Sequence, residues 1–104
     1  MGFDVEPTGY EKTILSDLQG AWQCLRQEVA ESPGFDGWER ALLHIDEAMS
    51  WESVRNLRQM QRSLLLVRNI LRQAEVPDGV TECMEAVNEL MAETLEALAK
   101  GEIG

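Results

Sequence analysis

The chain has 104 residues, with 19 acidic against 9 basic side chains and a formal net charge of −10. That balance opposes direct contact with a nucleic-acid backbone, which needs cations to displace condensed counterions, and with an anionic membrane surface. Hydrophobic residues make up 44%, which excludes a compositionally disordered chain and suits one domain, residues 1–104, with a modest core.

Leu, Glu, Ala, Arg, Gln and Met abound, while β-branched and aromatic residues are sparse, a helix-forming composition. The prolines, Pro7, Pro33 and Pro77, each fall where a helix boundary is expected. No apolar stretch approaches the ~18 residues that a membrane span needs, and residues 1–9, with Asp4 and Glu6, lack the apolar run of a signal peptide. Met1-Gly2 opens like a myristoylation signal, but Glu6 stands where a hydroxyl is required. Cys24 and Cys83 lie far apart and form no C-x-x-C, so both are expected to be free thiols in a reducing cytoplasm.

Residues 1–9 read as a loose N-terminal arm. A first helix is expected over Thr8–Ala30, with Thr8 and Glu11 in capping-box spacing. Ile14, Leu18, Ala21, Leu25 and Val29 share one stripe, flanked by Leu15 and Trp22. Gly20 weakens its middle, and Ser32-Pro33-Gly34 ends it. A second helix is expected over Gly37–Met49, capped by Asp36. Trp38, Ala41, Leu42, Ile45, Ala48 and Met49 face the core, and Leu43 points away.

Ser50 is the joint that pattern alone leaves open. It can cap a new helix at Trp51, yet neither Gly nor Pro intervenes between Trp38 and Val76. Residues 36–75 therefore form two helices broken near Ser50, or one kinked helix about 58 Å long at 1.5 Å per residue. The segment Trp51–Glu75 has a seam at Leu57, Met60, Leu64, Val67 and Leu71, the 3-4 spacing of a bundle helix. Arg55, Arg58 and Arg62 form a stripe on the opposite side, with Leu66 among them, while Leu65 and Ile70 also fall outside the seam. Val76-Pro77-Asp78-Gly79 reads as a turn with Asp78 capping a last helix over Val80–Lys100, stopped by Gly101. Val80, Cys83, Met84, Val87, Leu90, Met91, Leu95 and Leu98 make its apolar face, and Glu82, Glu85, Glu89, Glu93 and Glu96 the opposite one. The short turn predicts antiparallel packing on the third helix. The fold is therefore all-α, a small antiparallel bundle of three to four helices.

Little in the sequence points to a reaction centre. His44 has no Cys or second His at ligand spacing, and Ala41 stands where a Glu-x-x-His pair needs its carboxylate. Glu28-x-x-Glu31 has the acid spacing of helical nucleotide pyrophosphohydrolases that hold Mg²⁺, but Glu31 is at a helix end and the last helix turns its acids outward. Neither a nucleophilic triad nor a Gly-rich phosphate loop is present. No catalytic, cofactor-binding or metal-binding residue is assigned, and no cofactor is expected.

Charge layout carries more. Residues 51–75 hold five Arg against Glu52 and Glu75, while the rest of the chain is strongly acidic. Function is expected at a surface: a small non-enzymatic protein that binds another protein as adaptor, chaperone-like cofactor or inhibitor. Candidate contacts are Trp51, Arg55, Arg58, Arg62, Leu65 and Leu66, and the carboxylates Glu82, Glu85, Glu89, Glu93 and Glu96. The carboxylates suit a partner with a basic surface, and surplus apolar residues on the third helix suit a homodimer about a two-fold axis. An acidic decoy occupying a nucleic-acid groove of its target is the alternative, and a Mg²⁺-dependent hydrolase the weaker one.

Overall fold

The structure is a computed structural model that describes residues 9–54 and 56–102. Four helices follow in order: α1 (Gly9–Ala30), α2 (Trp38–Ser53), α3 (Leu57–Arg72) and α4 (Asp78–Ala99). The all-α bundle is thus realised, and the described residues include no strand. The expected arm and the Thr8 cap fall outside the described residues, except that Gly9 is helical.

Periodicity located the core. Ile14, Leu18, Ala21, Leu25 and Val29 of α1, and Leu57, Met60, Leu64, Val67 and Leu71 of α3, are all buried. They join Ala41, Ile45 and Ala48 of α2 and Val80, Cys83, Met84, Val87, Met91 and Ala97 of α4 in one contiguous cluster. Trp22, expected at the edge of α1, is fully buried instead. The reason is that α1 packs on both α2 and α4, so its buried arc is wider than one stripe.

The helix ends differ from expectation in ways the backbone explains. The N-cap of α2 is Gly37 rather than Asp36: Gly37 has a left-handed φ of 85° and offers no side-chain cap. Ser50 and Trp51 lie inside α2, so the break comes later: α2 ends at Ser53 and α3 begins at Leu57. Asn56 makes that break, because its side-chain oxygen accepts from Gln59 N at 3.2 Å and its own N–H donates to Trp51 O at 2.9 Å. At α4 the N-cap is Pro77, not Asp78; its carbonyl receives Val80 N and Thr81 N. Gly101 ends α4 as expected, with Glu102 N bonded to Ala97 O and Gly101 N to Leu98 O, the paired bonds of a Schellman motif.

The largest departure concerns pairing. α4 packs on α1, and α2 on α3, whereas α3 and α4 meet only sparingly. Length accounts for this: α1 and α4 both have 22 residues while α3 has 16. The long apolar stripe of α4 is therefore covered end to end only by α1. Two contacts fix the register of that pair. Gly79 sits under the Glu28 side chain, where a Cβ would meet Oε1 at 2.0 Å. One turn along each helix, Cys24 and Cys83 are disulfide-bonded, with Cα atoms 6.0 Å apart. The expectation of two free thiols is corrected, and with it the thiol argument for a reducing compartment, since structural disulfides belong to oxidising ones. Cys24 is exposed, while Cys83 is buried.

Candidate protein-docking surface

α3 is the helix with an unfinished exterior. Its seam is filled, and Ile70, one of the three surplus apolar residues, packs half-buried over Gly37. Leu65 and Leu66 remain 49% and 48% exposed. Placed at 100° steps, Arg58, Arg62, Leu65, Asn69 and Arg72 run along one outward face with Leu66 at its edge. Arg62, Leu65, Leu66, Arg68, Asn69 and Arg72 line one shallow hollow on that face. Arg55, in the expected stripe, lies outside the described residues. Trp51 does not belong to α3: it is in the last turns of α2, half-buried against the core.

A second concavity adjoins the first. Where α3 and α4 diverge they leave a groove of about 380 Å³ with Leu71, Val76, Val80 and Met84 as its apolar lining. Arg68 and Arg72 stand on its α3 wall, and Thr81, Glu85 and Asn88 on its α4 wall. The Asn88 side-chain oxygen is buried and has no hydrogen-bond partner among the described residues. Arg68 and Arg72 stand outside the stripe of Arg55, Arg58 and Arg62 that the sequence singles out. They share the groove with Glu85 but form no ion pair with it. The signal that could have placed them on the docking face was their spacing, three and seven residues after Leu65.

Glu82, Glu85, Glu89, Glu93 and Glu96 are exposed along α4 as the pattern predicted. Of these Glu96 has a cation, Lys100 at 2.9 Å, whose hydrogen bond and charge hold its carboxyl below the usual range. The other ion pairs among the described residues lie elsewhere. Arg26 reaches Asp46 at 2.6 Å across α1 and α2, which raises the guanidinium above its ordinary value through the hydrogen bond and then the charge. His44 bonds Glu47, one turn along α2. Arg58, Arg62, Arg68 and Arg72 therefore carry their charge without a carboxylate partner among the described residues. α3 holds these four arginines and no acid, and α4 holds Asp78 and five glutamates and no base.

No family model matches the chain, and no curated protein or solved structure matches it either. The surface must be read from its own chemistry. Glu28 is spent over Gly79, and Glu31 accepts from Gln27 Nε2 at 3.3 Å. Among the described residues no group of three or more His, Cys, Asp or Glu side chains is placed to hold a metal ion. No described helix is long and apolar enough to cross a membrane.

Proposed function

We propose that this chain is a small non-enzymatic protein that binds another protein through the outer face of α3 and α4. One observation carries the reading: two half-exposed leucines, Leu65 and Leu66, on a helix whose core seam is already complete, bordered by arginines with no carboxylate partner among the described residues. Solvent contact with such a patch is unfavourable, and a partner that covers the leucines while supplying carboxylates removes both deficits. The glutamate strip of α4 gives the same face a second character, suited to basic side chains.

The test compares wild type with Leu65→Asp/Leu66→Asp as immobilised bait, followed by direct binding of each purified protein that only wild type retains. The expected result is a partner whose affinity falls at least tenfold with the double variant while helicity by circular dichroism is unchanged. Equal retention by both baits would refute the proposal. Glu85→Gln, Glu89→Gln and Glu93→Gln together separate the two characters, because they weaken a basic partner and spare an acidic one. Competition by DNA or RNA for the retained partner would favour the decoy role instead.

A further inference from the structure

We propose that the α3–α4 face takes a second copy of this chain, with α3 of each copy lying on α4 of the other; this rests on the reading of that face as a docking surface. The argument starts from charge. α3 carries four arginines and no acid, α4 six acids and no base, and the two helices flank one groove without neutralising each other. Both strips border that groove. Arg68 and Arg72 belong to it and to the hollow of Leu65 and Leu66, while Glu85 belongs to it and to the glutamate strip. Plus and minus therefore stand side by side on one face, which makes the face complementary to itself.

Symmetry then decides the geometry. A two-fold axis lying in the interface across the helices would set α3 on α3 and α4 on α4, arginine against arginine and glutamate against glutamate. A two-fold axis along the helices exchanges left and right, so α3 of one copy covers α4 of the other. Height along the axis is kept, and the groove gives the heights: Arg68 and Arg72 stand level with Thr81 and Glu85. In the dimer Arg72 therefore meets Glu82 and Glu85 of the second copy, and Arg62, some three turns nearer the start of α3, meets Glu93. Leu65 and Leu66 lie between these pairs, covered by the methylene stems of the facing glutamates and by the exposed Ala92. Each copy supplies both halves, so every contact occurs twice.

Reciprocal charge exchange tests this on the full chain. One variant carries Arg62→Glu and Arg72→Glu, the other Glu82→Lys and Glu93→Lys; all four positions are exposed. Sedimentation equilibrium is run on wild type, each variant alone and an equimolar mixture, with circular dichroism on each. Wild type is expected to be a dimer that weakens as salt is raised, each variant alone a folded monomer, and the mixture a dimer holding one of each. The neutral pair Arg62→Gln/Arg72→Gln, also expected to be monomeric, stands in should a reversed variant lose helicity. A monomeric wild type, a dimer unmoved by the changes, or a mixture that stays monomeric overturns the proposal. A monomeric wild type that still retains a partner lost with Leu65→Asp/Leu66→Asp would end self-association and leave protein docking standing.

Discussion

Cys24→Ser removes the cross-link between α1 and α4 without opening a cavity, because Cys24 is exposed. The two cysteines are 59 residues apart in sequence. Releasing a loop of that length restores roughly 14 cal/mol/K to the unfolded chain, or about 4 kcal/mol at 25 °C. Strain and residual structure in the reduced chain lower what is measured, so the expected loss is about 2–4 kcal/mol. With a urea dependence of about 1–1.5 kcal/mol/M for a chain of this size, the unfolding midpoint should fall by roughly 1–4 M. The assay is urea unfolding followed at 222 nm, on wild type with and without reductant and on the variant, alongside thiol titration of the unfolded protein. Reduced wild type and Cys24→Ser should coincide, both well below oxidised wild type. Two titratable thiols in untreated wild type, or a midpoint indifferent to reductant, would refute the reasoning. Cys83→Ser is the poorer probe, since Cys83 is buried and its hydroxyl replacement adds a desolvation cost of its own.

Other positions give independent checks. Gly20→Ala should stabilise by about 0.5–1 kcal/mol, because the glycine lies inside α1 and an added Cβ meets nothing within 4 Å; an unchanged melting temperature would contradict this. Gly37→Ala should cost at least about 1–2 kcal/mol by thermal melting, since the residue holds φ at +85° and a Cβ would meet Ile70 Cγ2 at 2.7 Å. Glu89→Lys exchanges two like-charge neighbours, Glu85 and Glu93, for two opposite-charge ones, and should raise stability by roughly 1 kcal/mol at low salt, with the gain shrinking as salt is added. Lys100→Ala should return the titration of Glu96, followed by NMR, upward to the usual carboxylate range. The sign follows from the depressed carboxyl: the pairing helps the fold above the unfolded-state pKa and is lost as pH falls through the folded one.

The core of α1 and α3 was legible because each seam follows one 3.6-residue period, and burial obeys it residue by residue. Partner choice was not legible. A short turn argues for α3 against α4, but equal stripe lengths favour α1 against α4, and stripe length is a property of two distant segments. The break at Asn56 was hidden because a capping asparagine looks like any polar helix residue until Gln59 N is seen to point at it. The disulfide was hidden for a related reason. Nothing local joins Cys24 to Cys83; their meeting depends on the register that Glu28 and Gly79 also mark. On the docking face, Leu65, Leu66, Arg58 and Arg62 were visible as residues left over by the seam. Arg68 and Arg72 joined them only once the absent ion pairs with α4 were known.

The bond between Cys24 and Cys83 has a consequence for protease digestion. The tip between α2 and α3, where Val54 is 67% exposed, lies inside the segment that the bond encloses. A protease that nicks the chain there yields two pieces, one carrying α1 and α2 and the other α3 and α4, still tied through sulfur. On a gel without reductant they migrate as one band, and on a reducing gel as two.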